Sequence, residues 1–303
     1  MPAKNALFLF LGALIWGTAF VAQSEGMNYL GPLTFNGIRS LMGSVVLLPV
    51  ILIRRRSRIR QAEKGEKALY DFKTTLKGGI CCGIFLFAAS NLQQTALQYV
   101  EVGKAGFMTT LYIVLVPVFY FFITRKTQLR VWIGVLLAVA GLYLLCITDT
   151  FRLEKADILL ILCALFFAGQ ILSIDHFTAM PTDPVEMSSI EFLLTGILSV
   201  VIGLATEEFS FSAVAGAAVP LIYAGVFSSG IAYTFQMLGQ KGADPTIASL
   251  IMSLESVISL LAGFVLLHQV LSGRELIGCV LMFAAIILVQ LPGKENAACT
   301  ENS

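Results

Sequence analysis

PLTFNGIRSL at residues 32–41 and PVEMSSIEFL at residues 184–193 open two apolar runs in the same way. Pro32 answers Pro184, Ile38 answers Ile190 and Leu41 answers Leu193, with a charged residue, Arg39 or Glu191, at the same offset in each. Proline suits the first turn of a helix, where the missing N–H has no internal partner in any case. Behind each proline run roughly 20 mostly apolar residues, the length that crosses the hydrocarbon core of a bilayer.

Working outward, ten such segments follow one another, about 5–24, 32–53, 74–97, 102–123, 131–147, 157–177, 185–205, 217–240, 245–267 and 274–291. Composition agrees. The 303 residues are 57% hydrophobic and 13% charged, with a mean hydropathy of +0.85. A soluble domain carries about 25% charged residues. So few charges cannot keep a surface this size monomeric in water. A cytosolic enzyme, a nucleic-acid binder, a disordered chain and a coiled coil are excluded, and the lipid bilayer becomes the expected partner. The first run resembles a signal peptide only superficially, because Lys4 is a thin basic region and nine more spans follow. It reads as a retained helix.

Lys and Arg in the loops set the orientation. With the N-terminus in the cytoplasm, 15 of them lie inside and 4 outside, and Arg39 lies within a span. The basic stretch at about 54–73 supplies most of that bias. The expectation is a multi-pass protein of the cell (inner) membrane with both termini cytoplasmic. Of the six cysteines, five sit inside apolar runs, where Cys behaves as a small hydrophobe. Cys81 and Cys82 are adjacent and no CxxC or CxxC…HxxxH spacing occurs, so no metal site is expected.

The match at 32 and 184 belongs to a longer repeat. GALIWGTAFV (12–21) parallels CALFFAGQIL (163–172), and Gln94 and Gln98 parallel Gln236 and Gln240. Leu115-Val116-Pro117-Val118 parallels Leu254-Glu255-Ser256-Val257, and Ile133-Gly134 parallels Ile277-Gly278. Five pairs in one order indicate an all-α polytopic membrane protein built from two five-helix units, 5–148 and 157–292, with a C-terminal tail at 293–303. Because five is odd, the second unit enters from the opposite side. Ten transmembrane helices in two inverted five-helix repeats are an architecture of secondary transporters, which hold substrate near the midplane between repeats.

Trp16-Gly17 near the start, Arg39 early in the second span, and the segments AGFMTTLYIVLVPVF (105–119) and DPTIASLIMSLESVI (244–258) resemble the drug/metabolite transporter superfamily, EamA type. The resemblance covers roughly residues 5–292. It implies two EamA-like repeats, no enzymatic activity, no cofactor, and transport of amino acids, related metabolites or drug-like solutes, most often outward. The family segment runs close to Leu-Glu-Pro-Val. Here the first half keeps Pro117 with Val116 before it, and the second keeps Glu255 with Ser256 after it, so kink and charge are divided between the halves.

Charge inside a bilayer is expensive and usually functional. Glu255, eleven residues past Asp244, falls near the midplane and is the leading candidate for binding a substrate ammonium or a coupling proton. Arg39, about 10 Å from its helix end at 1.5 Å per residue, would anchor a carboxylate or phosphate. The alternative, favoured because the family carries Arg here whatever the substrate, is a guanidinium that satisfies backbone carbonyls or snorkels outward. Glu191 either faces the cavity or reaches the cytoplasmic headgroups. Asn91, Gln94 and Gln98 share one helical face at i, i+3, i+7, with Gln93 aside, and that face is expected to line a wet cavity. Trp16, Tyr112 and Gln236 are further cavity candidates, followed by Asn36, Gln170, Tyr223 and Tyr233. Pro117, lacking an N–H, is the expected hinge. Gly79 and Gly83 read as close helix packing.

The expected function is a secondary transporter, an exporter, moving small polar metabolites such as amino acids by alternating access around a central cavity. The small-molecule substrate, the bilayer and a coupling proton are its partners. A drug, cation, nucleoside or sugar transporter of the same fold is the alternative. No GxxxxGK[ST] run supports a P-loop ATPase. An intramembrane enzyme lacks support too, since Phe227-Ser-Ser-Gly230 is not Gly-x-Ser-Gly and His176 and His268 fall at span ends. A channel would need a filter-like Gly-Tyr-Gly or an acidic ring, and neither occurs.

Overall fold

The structure is a computed structural model and describes residues 1–63, 70–100, 102–125, 129–146, 155–267 and 272–290. Among these residues it is helical throughout, with no strand. In lipid the backbone must satisfy its own hydrogen bonds, and a helix does so within one segment. The helices are α1 (Ala3–Gly26), α2 (Pro32–Glu63), α3 (Phe72–Ala96), α4 (Val102–Thr109), α5 (Tyr112–Thr124), α6 (Leu129–Cys146) and α7 (Lys155–Thr178). There follow α8 (Pro184–Thr206), α9 (Phe211–Gly216), α10 (Ala218–Ile222), a π-helical stretch at Tyr223–Ala232, α11 (Tyr233–Gln240), α12 (Pro245–Met252), α13 (Leu254–Leu267) and α14 (Gly273–Gln290).

Among the described residues, eight helical stretches are long and apolar enough to cross a membrane, with α4–α5, α10–α11 and α12–α13 each counting as one. Two more apolar helices, Leu129–Leu144 and Leu276–Val289, are shorter. The ten expected segments thus correspond, among the described residues, to eight stretches of spanning length and two shorter apolar helices. The outward faces suit lipid. Leu136 is 69% exposed, Val201 62% and Ile287 62%, a density of bare aliphatic surface that water does not tolerate.

α2 lies along α8, α6 along α14, and α3 fits between α7 and α8. α1 packs on α13 and on the π-helical stretch and α11. Without a hydrophobic drive between helices in lipid, contacts rely on small residues and interhelical hydrogen bonds. Gly79 and Gly83 act as expected, lying against Ile190 and the Glu191 backbone of α8. Cys82, Cys163 and Cys279 are buried in the packing.

Asp183 and Asp244 cap α8 and α12 ahead of a proline, each accepting from two backbone N–H groups. The start of α2 is capped from the other half of the chain, where Glu207 accepts from Leu33 N at 2.9 Å and Thr34 N at 2.8 Å. At the opposite end of the same helix pair, Arg54 Nε meets Asp183 at 2.8 Å and Arg55 Nε meets Glu186 at 2.7 Å. Arg58 and Tyr70 also donate to Glu186. Both ends of the α2–α8 pair are therefore clasped.

Burial, helped by that bond to Glu186, pushes the Tyr70 phenol up to about 12. The ordinary phenol value is about 10. The neutral phenol's contribution to stability is complete below that value and lost as pH rises through the folded one. Thermal unfolding of the purified protein across the alkaline range should show this loss between about pH 10 and about pH 12. The Tyr70→Phe variant should lack that component, and an identical alkaline fall in both proteins would show that Tyr70 is not its source.

Three spans are interrupted. α4 and α5 break at Thr110–Leu111, and α12 and α13 break at Ser253. Thr110 Oγ1 donates back to the Gly106 and Phe107 carbonyls and Ser253 Oγ to Leu250 O. Such back-bonding competes with the helical ladder and bends it. The breaks meet, with Thr110 Oγ1 3.0 Å from Ser256 Oγ, which also reaches Gly106 O at 3.3 Å. α5 runs uninterrupted through Pro117, the expected hinge, and the discontinuity of this span lies upstream, beside the Thr110 hydroxyl. The π-helical stretch carries Ser228, Ser229 and two glycines and packs against α1 and α2.

Candidate functional site: a polar cavity at the broken helices

Where these discontinuities converge lies a cavity with walls from α1, α2, α3, the α4–α5 span, α7, the π-helical stretch, α11 and the α12–α13 span. Its total void is about 460 Å3, of which about 30 Å3 is open to the centre of a water molecule. A water needs about 10–15 Å3 of such space, so there is room for about two.

Glu255 forms the acidic wall. The break at Ser253 puts it in the first turn of α13, at the positive end of that helix's dipole. Tyr112, at the start of α5, donates to Glu255 Oε1 at 3.0 Å. One broken span thus supplies the carboxylate and the other its hydrogen-bond donor. Arg39 forms the basic wall. It is buried, and its Nε donates to Asn36 Oδ1 at 2.9 Å, one turn earlier on α2. The favoured expectation for Arg39 is corrected on this point. A side-chain amide, not backbone carbonyls or the outer headgroups, holds the guanidinium, and it turns into the cavity.

Aromatic rings complete the wall. Trp16 meets Tyr233 edge-on at 4.7 Å between centroids, and Tyr112 meets Phe167 at 6.5 Å. Between them stand polar groups whose partners are missing. Trp16 Nε1, Gln23 Oε1 and Gln236 Oε1 are buried and make no hydrogen bond. Leaving a buried polar group unpaired costs about 1–3 kcal/mol. Such groups on a cavity wall are complements awaiting a ligand or water.

Of the candidate site residues, Glu255, Trp16, Tyr112, Gln236 and Arg39 line this one cavity, joined by Gln170 and Tyr233. Asn91, Gln94 and Gln98 do not. Asn91 bonds Asn36 at 2.9 Å and Ser199 at 2.8 Å, tying α3 to α2 and α8. Gln94 reaches the Gln23 carbonyl at 3.3 Å, and Gln98 is exposed beyond the end of α3. Asn91 and Gln94 thus turn to neighbouring helices, and the residue set aside by the spacing, Gln93, lines the cavity and donates to Thr109. Glu191 is also corrected. It is fully buried, reaches neither cavity nor headgroups, and accepts from Gln170 Nε2 at 2.8 Å. Tyr223 bonds Thr18 instead of lining the cavity. Gln23 went unrecognised, although Trp16, Phe20 and Gln23 share one face at i, i+4, i+7. His176 is exposed near the end of α7, and His268 lies outside the described residues.

The model of the EamA-like transporter family matches the chain twice, over residues 3–147 and 154–291. The protein belongs to the EamA-like transporter family. An uncharacterised transporter of Archaeoglobus fulgidus is 29% identical over 286 residues, covering 94% of this chain and 85% of its own. YoaV, an uncharacterised transporter of Bacillus subtilis, is 23% identical and covers 94% of this chain and 96% of its own. The inner membrane transporter YedA of Escherichia coli K12, also uncharacterised, is 24% identical over 96% of this chain and 91% of its own. A crystal structure superposes with a TM-score of 0.76 over the whole of both chains at 18% identity, which shows the fold. This EamA-like protein is accordingly a multi-pass membrane transporter, not an enzyme.

Proposed function

We propose that this transporter is a secondary carrier of small zwitterionic metabolites, amino acids foremost, which it exports by alternating access through the cavity. The observation that carries the reading is one cavity with an acidic wall, a basic wall and three buried polar atoms that have no partner. A substrate ammonium has three donors and no acceptor, and Glu255, Gln236 Oε1 and Gln23 Oε1 are acceptors on the wall. A substrate carboxylate accepts only, and Arg39 and Trp16 Nε1 are donors. Bidentate pairing of a guanidinium with a carboxylate adds geometric selectivity.

In this reading the chain is ten spans in two inverted repeats, 5–148 and 157–292, in the inner membrane with both termini cytoplasmic, and the pattern of helix contacts supports the repeat. Exchanging each span of one half for its counterpart turns the α3–α7 contact into that of α1 with α10–α11, and α1–α13 into α5–α7. The α2–α8 and α6–α14 pairs map onto themselves. Two halves that exchange conformations about such an axis alternate access without moving the site. The bilayer, the substrate and a coupling proton are the partners in this reading.

A panel of radiolabelled amino acids, tested for counterflow in proteoliposomes, decides the substrate class. Saturable exchange of at least one is expected, with the corresponding decarboxylated amine exchanging poorly because it leaves Arg39 unpaired. Amines exchanging as well as amino acids would instead favour an organic-cation carrier, for which Glu255 among the aromatic rings is also suited. No exchange across the panel would reject amino acids.

A further inference from the structure

Glu191 is no part of the cavity wall, yet two amides join it to that wall. Gln170 Nε2 donates to Glu191 Oε1 at 2.8 Å, and Gln236 Nε2 donates to Gln170 Oε1 at 3.0 Å. Gln170 and Gln236 both line the cavity, and Gln236 Oε1, the free end of the chain, has no partner. Glu191 Oε2 is likewise buried and unpartnered, and among the described residues no cation pairs with Glu191. The ionisable groups that interact with it are Cys82 on α3 and Tyr233 on α11, and Tyr233 also interacts with Arg39 on α2, Cys163 on α7 and Glu255 on α13.

An amide is directional, since its oxygen only accepts and its nitrogen only donates. An ionised carboxylate also only accepts. Ionised Glu191 therefore draws the Gln170 amino group toward itself, which turns Gln170 Oε1 to the Gln236 amino group and sends Gln236 Oε1 into the cavity as an acceptor. The observed hydrogen bonds run in that direction, and Gln236 Oε1 is left without a partner. A proton on Glu191 Oε1 makes the carboxyl a donor. Gln170 must then offer its oxygen to Glu191 and its amino group to Gln236. Gln236 turns over in response and presents its own amino group to the cavity. An ammonium meets an acceptor in the first state and a donor in the second.

We infer that Glu191 is a proton-binding site whose charge is read at the cavity through the Gln170–Gln236 amide pair, so that a proton and an ammonium-bearing substrate bind in mutually exclusive states. The inference rests on the transport reading above and deepens it. It assigns the coupling proton to Glu191 and leaves Glu255 to the substrate. Exclusive binding at two connected sites is the condition for exchange of one ligand against the other, and the coupling is reciprocal. Substrate affinity rises with pH as Glu191 ionises, and bound substrate expels the proton.

Two measurements on the purified full-length protein test it. The first needs no substrate. The infrared carbonyl stretch of protonated carboxyl groups is followed through a pH titration in wild type and Glu191→Gln. Wild type should lose one carboxyl band that the variant lacks, and identical titrations overturn the inference. The second records proton release into weakly buffered solution on adding L-leucine or another amino acid that exchanges in the panel above. At a pH where the infrared titration shows Glu191 protonated, wild type should release about one proton per bound probe, as reciprocal coupling of exclusive states requires. Glu191→Gln should release none. Gln170→Leu, which cuts the amide chain, should keep the infrared band and lose the release. Undiminished release from either variant overturns the amide readout. A Glu191 band that titrates in a protein binding no amino acid supports the proton site and rejects the substrate reading, so the two fail separately.

Discussion

Glu255→Gln should lower amino-acid counterflow by about two orders of magnitude, the scale on which losing one partner of a desolvated charge pair costs about 2–5 kcal/mol. The substitution keeps the shape and the Tyr112 contact, because the amide oxygen still accepts from the phenol as Glu255 Oε1 does. It removes the charge at the head of α13, which is what an ammonium would pair with. The measurement is initial-rate counterflow in proteoliposomes at matched protein density, with thermal stability as the control for folding. Stability should not fall, since a neutral amide relieves the burial of a carboxylate that is only 6% exposed. Tyr112→Phe, which deletes only the hydroxyl, should give a smaller loss, and the two together should be less than additive because they share one hydrogen bond. If Glu255→Gln exchanges amino acids at the wild-type rate, Glu255 is not the ammonium site and the proposed recognition fails.

How much of this the sequence declares depends on what a helix in lipid can reveal. Spans are legible because about 20 apolar residues have no competing explanation. Buried charge is equally legible, and Glu255 and Arg39 both reach the cavity. Direction is not. In α3 both the lipid-facing and the protein-facing sides are apolar, so periodicity groups Asn91, Gln94 and Gln98 without telling a wet wall from a helix interface. Only the packing of α3 against α1, α2 and α8 decides that Asn91 and Gln94 serve the interface and Gln93 the cavity. Arg39 shows a signal present but unused, since Asn36 at i−3 is positioned to hold its Nε. The broken spans show a third limit. Residue identities pair Glu255 with Val116, whereas matching the breaks pairs it with Tyr112 or Ile113, about one turn away. Identity matching followed a proline, and the backbone followed the hydroxyls of Thr110 and Ser253.

Gly17→Ala should lower transport by about 5- to 150-fold, the factor corresponding to about 1–3 kcal/mol of overpacking. A methyl at Gly17 would stand 2.6 Å from Ile258 Cβ and 2.7 Å from the carbonyl oxygen of Glu255. The second neighbour is backbone and cannot swing aside, so α1 and α13 must separate. Trp16 precedes Gly17 on α1 and Glu255 lies on α13, and both line the cavity. Separation of these two helices therefore moves an aromatic wall away from the acidic one. The thermal midpoint should fall together with counterflow, which distinguishes this variant from Glu255→Gln, where transport falls alone. Gly103→Ala is the matched control, because a methyl there meets nothing within 4 Å. It replaces a glycine within α4 by the best helix former and should be neutral or stabilising by up to about 1 kcal/mol. Unchanged midpoint and counterflow in Gly17→Ala would mean that α1 and α13 part without cost. The close contact at Gly17 would then not be what holds the two walls at binding distance.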